Sequence, residues 1–167
     1  MFKTTSSVSY FRNFIFGVED SLVSTVGLLS GIAIAGVPRE TIFLTGIVLI
    51  FVEAFSMAAG SFLSESSADE YSSGIDRAKR TSFISGAIMF CSYFISGFIP
   101  LSSYLIWPVN TALIFSIIFS IAALFILGIV SGRMSNTDIV KDAMRMVIVG
   151  GVAIAIGVSV GAIVSTF

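Results

Sequence analysis

Of the chain's 167 residues, 56% are hydrophobic and 11% charged, and the mean hydropathy of +1.02 lies far above that of a soluble domain of this length. The net charge of −1, with no basic cluster interleaved with aromatics, excludes a nucleic-acid-binding footprint. There is no histidine, and without a Gly-rich phosphate loop, nucleophile elbow, zinc-type Cys/His spacing or iron–sulfur spacing an enzyme reading has almost no support.

What remains is an all-α, multi-pass integral membrane protein with a single transmembrane domain over residues 1–167. The N-terminal string MFKTTSSVSYFRN lacks a short apolar run followed by a small-residue cleavage site, so the first span is expected to be its own targeting signal. Stretches long enough to cross a bilayer as helices, roughly 20 residues each, fall at about 14–37, 41–64, 82–99, 109–132 and 143–166. The first carries the acidic pair Glu19-Asp20 and the spacing Gly27-xxx-Gly31. Pro38-Arg39-Glu40 makes a tight hairpin into the second, which holds Glu53, Met57 and the spacing Ser56-xxx-Gly60. A short acidic segment, 65–81, follows.

The third span contains Cys91, the only cysteine, so no intrachain disulfide is possible and this lone thiol in an apolar stretch is expected to be core. Pro100 to Pro108 separates spans three and four, and Tyr104 and Trp107 between the prolines fit an interfacial aromatic belt. The fifth span adds the spacing Gly157-xxx-Gly161. Such small-residue pairs serve either packing within one subunit or a dimer seam.

The cations orient the bundle. Lys3, Arg12, Arg77, Lys79, Arg80, Arg133, Lys141 and Arg145 fall on one side of a five-span arrangement and Arg39 alone on the other. The positive-inside rule then places the N-terminus and the loops near 65–81 and 133–142 in the cytosol and the C-terminus outside. Five spans cannot divide evenly into inverted repeats, so a pathway of useful size is expected to need an oligomer.

A carboxylate at the centre of a membrane helix costs about 2.5–3.5 kcal/mol on insertion scales, so Glu53 reads by default as part of an ion pathway, a proton relay or a buried pair. Met57, one turn on, adds a soft thioether that favours a transition metal over Mg²⁺ or Ca²⁺. Counted from Phe14, Asp20 lies about 9 Å inside the first span, and counted from Ser64, Met57 lies about 10 Å inside the second. These two are therefore expected at one level, with Glu53 about 6 Å deeper on the face of Met57 and Gly60 or Ser61.

Two carboxylates, a thioether and the hydroxyls of Ser24 and Ser56 could bind a partly hydrated divalent ion and exchange protons for it. The alternative has Glu19 snorkelling to the interface, Asp20 capping or kinking its helix, and Glu53 neutral against a neighbour. In the cytosolic segment Glu65, Asp69 and Glu70 form a candidate cation-collecting mouth if span two continues as a helix. The plainer reading is a solvated surface helix, with Asp76 and Arg80 at i, i+4.

The strings FGVEDSLVSTVGLLSGIAIAG and EAFSMAAGSFLSESS in the first two spans resemble the paired signatures of the vacuolar iron transporter family. The resemblance continues through GFIPL (Gly97 to Leu101), LGIVSGRMS (Leu127 to Ser135) and the glycine-rich last span from Met144, and so covers essentially the whole chain. It implies a five-helix protomer in a two-fold dimer, with a pathway between subunits lined by the first two helices. It also implies movement of Fe²⁺, and in many members Mn²⁺, out of the cytosol against protons. On this resemblance Asp20 matches the pathway aspartate of the DGLVS-type motif and Met57 the methionine of the SMA motif, both as metal ligands.

The chain departs from the pattern in several places. Ser21 replaces the glycine usual after the aspartate, and Ser61 stands where SMAAGE-type motifs have glutamate. Glu53 occupies a position where a small residue is common, which would relocate that carboxylate deeper on the same helix face. The large helical metal-binding domain that many members insert between spans two and three is absent, leaving only the acidic segment after Ser64.

The expected function is export of Fe²⁺ or Mn²⁺ in exchange for protons, serving iron and manganese homeostasis. No cofactor is expected to be bound permanently; the metal is the substrate. The expected metal site is Asp20, Met57 and Glu53, with Glu19, Ser24, Ser56 and Ser61 as pathway or proton-coupling candidates. The expected setting is a homodimer in a lipid bilayer, in a prokaryotic plasma membrane. A non-transporting membrane assembly or regulatory protein is the alternative, and a proton-coupled carrier of a small organic cation is a third reading.

Overall fold

A computed structural model describes residues 5–73 and 78–166. They form five helices, α1 (Thr5–Ile34), α2 (Arg39–Ser73), α3 (Ala78–Ile106), α4 (Val109–Ser135) and α5 (Ile139–Val164). Each is long and apolar enough to cross a membrane. Short connections make consecutive helices antiparallel, so α1, α3 and α5 run one way and α2 and α4 the other. The start of α1 shares one end of the bundle with the α2–α3 and α4–α5 connections.

α1 and α3 form the centre. Half of each of their spanning windows is buried within the chain, against 22% for α2 and 11% for α5. Along α1 the buried side chains Leu22, Val26 and Leu29 recur at helical spacing, interleaved with buried Ser21 and Thr25. α1 and α2 each pack mainly on α3 and touch one another much less.

The first hairpin is set by Gly36 rather than by the proline alone. Gly36 has φ +78°; its N–H bonds the Ala33 carbonyl at 3.1 Å while the N–H of Val37 reaches back to Ile32 at 3.2 Å. This is a Schellman closure, which needs a left-handed residue just past the helix and leaves Pro38 to prevent continuation. Gly36→Ala is expected to cost about 1–2 kcal/mol, seen as a lower midpoint of thermal unfolding in detergent.

Several expectations change. The third span does not stop before Pro100: α3 continues through it to Ile106, and the turn to α4 is only Trp107 and Pro108. Membrane helices tolerate an internal proline where neighbours surround the freed backbone, and Pro100 is fully buried. Tyr104 consequently belongs to the core and not to an interfacial belt. It is 0% exposed, and its hydroxyl donates to the Leu29 carbonyl at 3.5 Å. Trp107, at the turn, stacks on Phe115 with ring centroids 4.4 Å apart.

Cys91 is exposed and not core. It lines an apolar groove of about 540 Å³ with Phe55, Phe62, Phe83 and Phe90 on the outer side of α2 and α3. Apolar neighbours in sequence marked a membrane helix, and in such a helix the outward face is as apolar as the core.

The small-residue pairs divide. Gly27 and Gly31 of α1 pack against Gly157 and Gly161 of α5 within the chain. A Cβ on Gly31 would lie 2.7 Å from the Gly157 carbonyl oxygen, and Cβ atoms on Gly157 and Gly161 would run into the carbonyls of Gly27 and Gly31. Gly60 has nothing within 4 Å of its Cβ position, and Ser56 is exposed. That pair faces outward from α2.

Candidate functional site

Two side-chain contacts set the register of α1 against α2. Ser9 Oγ donates to Glu65 Oε1 at 2.5 Å, and Ser61 Oγ donates to Asn13 Oδ1 at 2.9 Å. Four residues forward on α1 thus match four residues back on α2. Continuing that step places Gly17 opposite Met57 and Ser21 opposite Glu53.

The expected ladder is therefore shifted. Asp20 shares its level with Glu53, and Met57 sits one turn closer to the end where Ser61 and Asn13 meet. The cause is the length of α2, which runs as helix past Ser64 to Ser73. Ser64 is not where the helix ends, so depth counted from it and depth counted from Phe14 had different origins.

Asp20 and Glu53 are both half-buried, on the neighbouring helices α1 and α2. Tyr93 of α3 is fully buried, its hydroxyl 2.7 Å from Ser24 Oγ on α1. Ser21 Oγ donates to the Tyr93 carbonyl at 2.7 Å. Ser21 thus ties α1 to α3. With α1 and α2 both packed on α3, Tyr93 lies in the core between the three helices. Sequence reasoning missed Tyr93, because a lone tyrosine in an apolar run carries no sign of which helix its hydroxyl meets.

The other candidates scatter. Met57 is half-buried, Ser56 is exposed on the outer face of α2, and Ser61 is engaged by Asn13. Glu19 lines a separate polar cavity with Ser131, Asp142 and Arg145. One residue along a helix is a turn of about 100°, so adjacent acids on α1 serve different faces.

Past Ser64, α2 does continue as helix through Glu65, Asp69 and Glu70. Glu65 is held by Ser9 and by Arg12, whose Nη2 lies 3.2 Å from Oε2. It fastens α1 to α2. Glu70 is exposed; the side chain of Asp69 and the Asp76–Arg80 pairing lie outside the described residues. Among the described residues, no three Asp, Glu, Cys or His side chains form a group that could hold a metal ion.

A family model described as the VIT family matches residues 11–81 and 69–162. The chain belongs to this family. No match is found among curated proteins. Membership in the VIT family, the vacuolar iron transporters, bears out the likeness carried by the span-one and span-two strings. The VIT family is a family of transporters, so metal-ion transport across the bilayer is the family activity, and the chain is an integral multi-pass protein.

Proposed function

We propose that the chain exports Fe²⁺ or Mn²⁺ from the cytosol in exchange for protons, using Asp20, Glu53 and Met57 as its central metal site. What supports this reading is a half-buried carboxylate on each of two neighbouring membrane-length helices, Asp20 on α1 and Glu53 on α2. Two carboxylates near one another within a membrane are costly unless a cation or protons neutralise them. Metal and protons then compete for the same oxygens, and that competition is the physical basis of exchange. Met57, one turn toward the Ser61 end, offers the thioether that an approaching transition metal meets first.

Two charged ligands leave a coordination shell incomplete. Water, the Ser24 hydroxyl and the same residues of a second copy complete it if the site between α1 and α2 is shared across a two-fold axis. The outward-facing Ser56 and Gly60 support such a seam, since small residues on a membrane helix let another backbone approach. Arg12, Arg80, Arg133, Lys141 and Arg145 gather toward the end of the bundle where α1 begins, and Arg39 sits at the other. This supports a cytosolic N-terminus and an external C-terminus; the proposed setting is a prokaryotic plasma membrane, where the transporter would serve iron and manganese homeostasis.

Reconstitution into liposomes loaded with a metal-sensitive dye tests the proposal. Mn²⁺ or Fe²⁺ entry that quickens under an opposing proton gradient is the expected result. Wild-type vesicles that pass no metal, from a protein that still assembles specifically with a partner, would favour a non-transporting assembly or regulatory role.

A further inference from the structure

The polar cavity on the far side of α1 has a volume of about 300 Å³ and is lined by Glu19 of α1, Ser131 of α4, and Asp142, Arg145, Met146 and Val149 of α5. The α4–α5 hairpin builds it. A Cβ on Gly132 would lie 2.9 Å from the Ile139 Cα, so the LGIVSGRMS segment meets the first turns of α5 at backbone distance. Asp138 caps α5 by accepting from the N–H groups of Val140 and Lys141, which starts the helix at a defined residue. The Thr137 hydroxyl donates to Asp142 Oδ2. Asp142 is thereby held in place at the cavity edge.

Glu19 and Arg145 line this one cavity together, and among the described residues the one ion pair within 4.0 Å is Arg12–Glu65. The two opposite charges therefore share one polar cavity without a direct ion pair. Its lining holds two carboxylates, a hydroxyl and a thioether. That is the donor set of the proposed metal site repeated on the other side of α1, with one difference, a built-in cation.

Resting on the proposed transport function, we infer that Arg145 is a positioning residue: its guanidinium takes the place of a metal ion in this second acidic cavity, holds Glu19 there, and leaves Asp20 as the α1 carboxylate that meets the transported ion. An adjacent acid pair is in this way divided between a cation of the chain's own and a mobile one. Without Arg145, Glu19 and Asp142 would be two uncompensated acids around a space large enough for a hydrated divalent ion.

Counting bound Mn²⁺ by electron paramagnetic resonance on the purified full chain tests this without requiring flux. Arg145→Gln is expected to bind about one additional Mn²⁺ per chain relative to wild type, and the double variant Glu19→Gln with Arg145→Gln is expected to lose it. Arg145→Lys, which restores the cation, is expected to count as wild type. An unchanged count in Arg145→Gln, or an extra Mn²⁺ that survives Glu19→Gln, overturns the inference. A second count keeps Arg145 in place: Asp20→Asn with Glu53→Gln is expected to bind no Mn²⁺, and a residual ion that disappears on further Glu19→Gln substitution also overturns it. Liposome flux of the wild type, measured in parallel, separates the two readings, because absent flux strikes the transport proposal while the Mn²⁺ counts still decide the role of Arg145.

Discussion

Asp20→Asn and Glu53→Gln, made singly, are each expected to slow Mn²⁺ entry into proteoliposomes by about tenfold or more, and together to abolish it. Each substitution keeps the size of the side chain and its capacity to accept a hydrogen bond, and removes only the charge. Interactions with a charged partner are worth about 1.5–3 kcal/mol, and a factor of ten corresponds to about 1.4 kcal/mol. Loss of one carboxylate from a pair is therefore enough to reach that factor. Glu53 is the sharper of the two tests. As a neutral packing acid it would tolerate glutamine, which offers the same shape and hydrogen bonds, and transport would persist; as a ligand opposite Asp20 it would not. Initial rates of dye quenching, with protein incorporation matched between variants, separate the two.

Gly157→Ala is expected to destabilise the fold by about 1–3 kcal/mol, whereas Gly60→Ala is expected to have almost no effect. In a membrane the helices gain little by hiding apolar surface from one another, and close backbone packing carries much of their association. α1 and α5 pack through two matched glycine pairs, and a methyl group at residue 157 would drive into the Gly27 carbonyl. Overpacking of that kind typically costs about 1–3 kcal/mol, because backbone has to move. The Cβ position at Gly60 has open space around it, and alanine is the better helix former. Thermal unfolding in detergent, followed by helical circular dichroism, would show a lowered midpoint for the first variant and none for the second. The two glycines are indistinguishable by local spacing, so the contrast depends on their three-dimensional neighbours.

That contrast also shows where the sequence was legible. Hydropathy and length marked five spans because a bilayer demands long apolar helices whatever their neighbours are. It could not tell an inner face from an outer one. Cys91 and Tyr104 illustrate this, one expected in the core and found exposed, the other expected at the interface and found fully buried. Pro100 was read as a stop by a rule that holds in water, where a broken helix has an easy alternative; inside a bundle the helix carries on.

The candidate site was legible in its residues and less so in its geometry. Asp20, Glu53 and Met57 stand out as polar or soft groups in apolar runs, and the family strings add weight to Asp20 and Met57. Their relative depth depended on where α2 ends, which the polar string after Ser64 disguised. The division of Glu19 from Asp20 was not legible at all. Helical geometry sets their side chains apart, but which of them faces α2 and which faces α5 follows from how α1 lies across α3, α4 and α5, a matter of contacts distant in sequence. Tyr93 was hidden for the same reason.

Anomalous difference density from crystals soaked in Mn²⁺ tests the central metal site most directly. A peak coordinated by the carboxylates of Asp20 and Glu53, between α1 and α2, is the expected result. A peak beside Glu19 and Asp142 with Arg145 intact, or one that touches neither Asp20 nor Glu53, would contradict it.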